Sequence, residues 1–189
     1  MTAIHTWIGV VLAGGRSSRM GQDKALLQWY GRPLIAHMQA LLRDAGALDV
    51  VISGDRPSYA GIADNQPDLG PLGGLASVID HVADATTLVV VPVDMPLLSR
   101  PLLERLLAPP QQRCVAFEDE MLPMRLCVDG AVREALSVLM ASAASSRSLH
   151  TLQRSLQCHR VAVTASERGT FVNCNTPEQW SRLIHENPD

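Results

Sequence analysis

Residues 12–24 read Leu-Ala-Gly-Gly-Arg-Ser-Ser-Arg-Met-Gly-Gln-Asp-Lys, directly after an apolar run. Gly14 and Gly15 let backbone N–H groups turn inward with no side chain in the way of an anion. Arg16, Arg19 and Lys24 add positive charge, the arginines as planar forks and the lysine as a mobile point charge. The string is therefore a candidate phosphate cradle, because loops rarely carry such a pattern unless they bind something. It has neither the GxxxxGK[ST] spacing of a Walker loop nor the GxGxxG fingerprint of a dinucleotide site. A second candidate is Asp94, immediately after the run TLVVVPV, where a carboxylate could hold a hard cation such as Mg2+ against phosphate oxygens. The bland alternative for Asp94 is a helix cap or turn former ahead of the helix that follows Pro96.

The elements that must position these groups alternate along the chain. Short β-branched runs predict strands over 7–12, 49–53, 87–93, 113–117 and 159–163. The run TLVVVPV is apolar at nearly every position, as a central strand covered on both faces should be. Helical periodicity is cleanest over 34–45, between Pro33 and Gly46, and looser over 72–82, 100–107, 131–143 and 148–156. A last helix is predicted over 177–184, with Thr176 as cap and Pro177 at its first position. Such alternation predicts an α/β domain with a mostly parallel sheet, whose ligands bind beyond the carboxyl ends of the strands. No repeat, low-complexity tract or long linker divides the chain, and residues 109–112 read as a turn.

Composition sets the outer bounds. The chain has 189 residues, enough for one domain, and its 47% hydrophobic content rules out a disordered protein. Aromatics at 4% disfavour a base-stacking binder of single strands, and a net charge of −3 argues against a broad nucleic-acid surface. Net charge says nothing against a local phosphate site. No apolar run reaches the roughly 20 residues needed to cross a bilayer. The leading segment has no basic start and runs into a predicted strand, so no signal peptide and no membrane partner are expected. Cys114, Cys127, Cys158 and Cys174 are widely spaced, which favours reduced, mostly buried thiols in a cytoplasmic protein over zinc ligands or a disulfide framework. His37 and His81 read as packing or surface residues, and the basic stretch 145–156 as a solvated helix face.

The glycine-rich loop resembles the signature of the molybdenum cofactor guanylyltransferase family (molybdopterin-guanine dinucleotide biosynthesis protein A). The likeness continues in GPLGGL at 70–75, VPVDMPLL at 91–98 and FVNCNTPE at 171–178, in the family's order. The first motif alone marks only a wider group of nucleotidyltransferases; the four together are specific. The resemblance implies a single three-layer Rossmann-like nucleotidyltransferase domain, glycosyltransferase-A-like, with a mostly parallel central sheet. Its nucleotide-binding part would span about residues 1–100 and its acceptor-binding part about 101–189. The implied reaction transfers GMP from GTP to the terminal phosphate of molybdopterin and releases pyrophosphate, with Mg2+ as cofactor.

Carried over residue by residue, Leu12, Ala13, Gly14 and Gly15 would hold GTP. Arg19 and Lys24 would act on the phosphates, and Asp94 would bind the nucleotide and the metal. Asp23 would shape the loop or orient Lys24. Asp64 matches a GTP-contacting aspartate, with Asp68 as a competing candidate. Gly70, Pro71, Leu72 and Gly73 would form the turn approaching the base. Ser53 stands where relatives carry asparagine, offering a hydroxyl in place of an amide. Asn173 and Asn175 would face the pterin, although an asparagine ahead of Thr-Pro-Glu also suits the start of a helix. Arg125 and Arg147 could meet the acceptor's phosphate or be ordinary surface arginines. Relatives tend to have His-Pro where this chain has Leu122-Pro123, so the segment 114–128 matches less well.

The rival readings are a cytidylyltransferase acting on the same acceptor with CTP, a noncatalytic nucleotide-binding module presenting cofactor to a partner, and a sugar-1-phosphate nucleotidyltransferase. The cytidylyl enzymes typically read alanine at the position of Gly14 and lack a comparable GPLGG turn. A noncatalytic module would be expected to have lost Lys24 or Asp94, and the sugar enzymes need a longer chain. The partners implied are GTP, molybdopterin, and molybdoenzymes or cofactor-delivery proteins; no nucleic acid is expected, and the protein is expected to be a monomer.

Overall fold

The computed structural model describes residues 6–15, 22–66, 68–109 and 111–187. Arg16 and Arg19 lie outside the described residues. In chain order the elements are β1 (Trp7–Leu12), β2 (Gln28–Trp29), β3 (Arg32–Pro33), α1 (Leu34–Asp44), β4 (Asp49–Ser53), α2 (Gly70–Ile79) and β5 (Thr87–Pro92). They continue with α3 (Arg100–Leu107), β6 (Cys114–Phe117), β7 (Met124–Cys127), α4 (Gly130–Ala141), α5 (Leu149–Ser155), β8 (His159–Val161) and α6 (Pro177–Glu186).

The main sheet has six strands in the order β4-β1-β5-β7-β6-β8. Its strands alternate their side chains between two cores, as a period of two requires. Along β1, Trp7 and Val11 enter the core that also takes α1, α3 and α6. Val10 and Leu12 enter the opposite core, with α2, α4 and α5. A sheet covered on both faces by helices is the expected three-layer domain. Among the described residues, no helix is long and apolar enough to cross a membrane.

Local chemistry explains the helix starts. Thr176 accepts from Gln179 N while the Gln179 side chain reaches back, a reciprocal cap with Pro177 behind it. Asp129 caps α4 through Val132 N, and Ser148 caps α5 through Thr151 N.

Three features depart from expectation. Strand β7 had no counterpart in the periodicity, because Met-Arg-Leu-Cys alternates weakly, yet it sits in the sheet antiparallel to both β5 and β6. The small hairpin β2–β3 was likewise not foreseen. Helix α2 starts at Gly70, not at residue 72, so Gly70, Pro71, Leu72 and Gly73 are its first turn rather than a loop. Proline is well accommodated there, where no helical N–H is missed. The other predicted elements are present with ends shifted by one or two residues.

Register decides what the carboxyl edge presents. Leu12 lies opposite both Ser53 of β4 and Pro92 of β5, so three parallel strands end in one row. The next residues, Ala13, Gly54 and Val93, leave that row together. They begin the walls of the cleft.

Candidate active site

The cleft at that edge is a cavity of about 240 Å³. Its floor is made by Leu12, Ala13, Ser53 and Pro92, and its sides by Gly14, Gly15, Asp64, Gly70 and Asp94. Backbone packs against backbone here. Gly54, at φ +126, lies so close to the loop that a Cβ would come within 2.8 Å of Gly14 N. Gly74 of α2 approaches β4 so closely that a Cβ would meet Ser53 Oγ at 2.4 Å. Gly14 differs: a Cβ there would meet protein atoms only at 3.7 Å and beyond. The fold tolerates a side chain at Gly14, so the space beside it is available to a ligand.

Three distant segments converge on Lys24. Its Nζ donates to Asp94 Oδ2 at 2.9 Å and to Asn175 Oδ1 at 2.6 Å. Both carboxylate and ammonium are mostly shielded, at 17% side-chain exposure each. Backbone pairing supports the meeting, because Cys174 N donates to Asp94 O at 3.0 Å. Burial, reinforced by the Asp94 charge, pushes the Cys174 thiol up to about 11, so it is an inert packing group there. Asp94 caps no helix; α3 starts after Ser99.

Asp64 faces the cavity, and its buried Oδ1 meets no donor among the described residues. Burial raises its pKa above 3.8. A carboxylate oxygen held without a donor fits a ligand that brings N–H groups. Asp68 does not line the cavity, which separates the two competing aspartates. Leu72 is buried and turns away from this cavity into the next one, so only its backbone neighbours Gly70 and Pro71 serve the first.

A larger cavity of about 450 Å³ adjoins it. Pro71, Pro92 and Leu122 line both. Leu72, Met95 and Met121 give it apolar walls, while Arg147, His150, Glu120 and Asn173 supply polar groups. Arg147 Nε donates to Ser142 O at 2.8 Å, which braces its stem at the cavity. Glu120 is raised by burial and by the neighbouring Asp119.

A model of the MobA-like NTP transferase domain matches residues 9–171. The chain belongs to this family. It is 78% identical over all 189 residues, the full length of both chains, to a protein named molybdenum cofactor guanylyltransferase from Xanthomonas euvesicatoria pv. vesicatoria. It is 32% identical to a molybdenum cofactor guanylyltransferase of a Shewanella species, covering 94% of each chain. Among solved structures, the molybdopterin-guanine dinucleotide biosynthesis protein A of Archaeoglobus fulgidus matches with TM-score 0.73 at 18% identity, covering 95% of this chain and 97% of that one. At that identity the likeness speaks for the fold.

Within this family member, the sequence-based placements divide clearly. Leu12, Ala13, Gly14, Gly15, Lys24, Ser53, Asp64, Gly70, Pro71 and Asp94 all line one cavity. Asn173 lines the larger one, and Asn175 has its oxygen on Lys24 instead. Asp23 shapes the loop as expected, capping the short turn Lys24–Leu26 through Ala25 N at 3.0 Å. It pairs with Arg56, not with Lys24. Arg125 is neither a phosphate ligand nor a surface residue. It is 7% exposed on β7 and donates to the Leu107 and Gln112 carbonyls, tying α3 to the sheet. Burial lowers its pKa. His37 bridges α1 to Pro96 O at 2.9 Å, and burial depresses its pKa. His81 bonds Ser77 O at 2.8 Å within its own helix end. The cysteines are free, but Cys114 and Cys158 are not far apart: their sulfurs lie 2.6 Å from each other across β6 and the start of β8.

Sequence reasoning missed Arg56, Gly54, Gly74 and Glu120. Gly54 and Arg56 stand beside Ser53 in the segment VVISGDR, directly at a predicted strand end. Position alone made them candidates. Glu120 offered no signal, since it lies in a segment whose strand was not foreseen.

Proposed function

We propose that this protein is a molybdenum cofactor guanylyltransferase, transferring GMP from GTP to the terminal phosphate of molybdopterin with release of pyrophosphate. The observation that carries the reading is Lys24, held between Asp94 and Asn175 in a glycine-lined cavity whose junction with a larger, side-chain-lined one is made by Pro71, Pro92 and Leu122. A nucleotide and a phosphorylated acceptor bound side by side would meet at that junction. An acceptor phosphate oxygen attacks the α-phosphorus of GTP, a new P–O bond forms, and the bond from the α-phosphorus to the bridging oxygen breaks. The attacking phosphate is already ionised at neutral pH, so no general base is required. The remaining problem is charge crowding, met by positioning and by the Lys24 ammonium. Arg19 would add a second cation on the phosphates.

Asp64 supports guanine over cytosine. Its carboxylate only accepts, which suits the adjacent N1–H and amino donors of guanine better than cytosine, whose single amino donor stands beside the N3 and O2 acceptors. Ser53, buried beneath the cavity, stands where relatives carry asparagine and can supply a single hydroxyl contact. On the acceptor side, Asn173 and Glu120 offer groups for the mixed edge of a pterin, and Arg147 a fork for its phosphate. Asn175 acts through Lys24. The nucleotide part of the chain is then residues up to about 100, with Leu122 reaching across from the acceptor part.

Asp94 is the residue that would hold Mg2+. It is a hard oxygen donor that already binds a cation, the Lys24 ammonium. Among the described residues no three His, Cys, Asp or Glu side chains could together hold a metal, so such an ion would complete its shell with phosphate oxygens and water. When bound, it would supply positive charge to the triphosphate. A cytoplasmic, monomeric enzyme goes with this reading, handing its product to molybdoenzymes or delivery proteins.

Assay of the purified protein with molybdopterin, Mg2+ and either GTP or CTP tests it. Turnover with GTP and little with CTP is expected. Turnover with CTP alone would overturn the guanine assignment, and nucleotide binding without transfer to any acceptor would favour a presenting module.

A further inference from the structure

Arg56 lines the smaller cavity beside Asp23 and Lys24, and it makes an unusual set of contacts. Its Nε and Nη2 donate to Ala13 O at 3.2 and 2.9 Å, Nη2 also donates to Asp23 Oδ1 at 2.9 Å, and Nη1 to Asp23 Oδ2. Ala13 and Asp23 are the residues on either side of segment 14–22, the body of the glycine-rich loop. One guanidinium therefore joins both ends of that loop.

The surroundings fix Arg56 in turn. Its carbonyl accepts from Tyr59 N at 2.9 Å and from Gly61 N at 3.0 Å, closing a tight turn after β4. Within that turn a Cβ on Gly61 would come within 2.4 Å of Gly54 O, so the turn packs at backbone contact. On the far side, Asp23 Oδ1 caps the turn that carries Lys24. A chain of directed contacts thus runs from Arg56 through Asp23 to Lys24 and Asp94.

We propose that Arg56 is a positioning residue that ties Asp23, which caps the turn carrying Lys24, to Ala13 at the end of β1, and so sets Lys24 for nucleotide binding and transfer. The proposal rests on the nucleotidyl-transfer reading of the same cavity. Only a planar fork can hold the Ala13 carbonyl and both Asp23 oxygens at once, which a lysine ammonium cannot do.

The test compares wild type with Arg56→Lys, Arg56→Ala, Asp23→Ala and the double variant Arg56→Ala/Asp23→Ala. Melting temperature, kcat and KM are measured for whichever nucleotide the wild type prefers. Arg56→Ala is expected to lower kcat/KM about 10- to 100-fold, through a raised nucleotide KM as well as a lower kcat. Arg56→Lys should fall nearly as far, the double variant should be no worse than the poorer single one, and millimolar methylguanidinium should restore part of the Arg56→Ala loss. A purely structural role would instead lower the active fraction, reducing apparent kcat and leaving KM unchanged. Wild-type parameters in Arg56→Lys, additive losses in the double variant, or a fall in kcat alone would overturn the proposal. If Arg56→Ala does not fold, Arg56→Lys and Asp23→Asn decide by the same KM criterion. A wild type that prefers CTP defeats the guanine assignment and leaves the clamp to be judged by these ratios. A wild type that transfers nothing defeats the transfer reading, and the clamp is then judged by nucleotide Kd.

Discussion

The two adjoining cavities are built from different materials. The smaller is walled by strand ends and the first turns of α2, including Gly74, with Gly54 packed at backbone contact behind Gly14. The larger is walled by side chains: methionines and leucines for its apolar surface, and Arg147, His150 and Glu120 on longer stems for its polar one. A triphosphate is a fixed array of anionic oxygens, which backbone N–H groups held at strand ends and a helix start can match without reorganising. A large pterin with mixed donors and acceptors needs shape and varied polar groups, which side chains supply. On the proposed reading the division of labour is backbone for the donor nucleotide and side chains for the acceptor, with Lys24 on the donor side and Pro71, Pro92 and Leu122 shared.

Removing the Lys24 ammonium should have the largest effect. Lys24→Ala is expected to lower kcat by about 10²- to 10³-fold, the range seen when one stabilising donor is taken from a transition state. Nucleotide Kd should change far less, because the backbone wall stays intact. Single-turnover rates beside equilibrium binding separate the two quantities. Equal losses in both would mean that Lys24 serves ground-state binding, as part of the nucleotide wall rather than of the transfer step.

A smaller effect should separate the cavities themselves. Asn173 lines only the larger one, so Asn173→Ala is expected to raise the molybdopterin KM about 10-fold while leaving the GTP KM unaltered. The readout is a pair of KM values from one variant. A shift in the GTP KM of similar size would show that the two sites share that asparagine, and the division would fail there.

The same contrast explains what could be read from the sequence. The nucleotide wall is assembled from contiguous motifs, because backbone recognition demands glycine at set positions and strand ends that fall in register. Leu12 to Gly15, Lys24, Asp64, Gly70 and Asp94 were therefore legible in advance. The larger cavity, proposed for the acceptor, draws on Met95, Glu120, Arg147 and Asn173 from four separate segments; Arg147 and Asn173 were named in advance, Arg147 only as one of two readings, and Glu120 was not. Strand β7 was missed because Arg125 interrupts its apolar pattern. That arginine is tolerated only because the Leu107 and Gln112 carbonyls satisfy it, a tertiary compensation invisible in the local sequence. Arg56 was passed over because its importance lies in joining Ala13 to Asp23, two residues that meet only in the fold.

The most delicate consequence concerns Asp64, whose buried carboxylate oxygen meets no donor among the described residues. Burial raises its folded-state pKa above the 3.8 of the free group. The folded protein therefore binds this proton more readily than the unfolded chain does. The resulting stabilisation is present in full below the unfolded value and is lost as pH rises through the raised folded value. At neutral pH the ionised group works against folding, awaiting donors from the base. Asp64→Asn should then raise the melting temperature of the nucleotide-free protein at pH 7 by about 1–2 °C, a small change because the group is only partly buried and water screens it. The gain should vanish toward pH 3, where wild-type Asp64 is itself protonated. Saturating GTP should reverse the order, stabilising wild type more than the variant, since only the ionised carboxylate accepts from both guanine donors. Identical melting curves for the two proteins, with and without GTP, would mean that Asp64 is neither strained when empty nor used when filled.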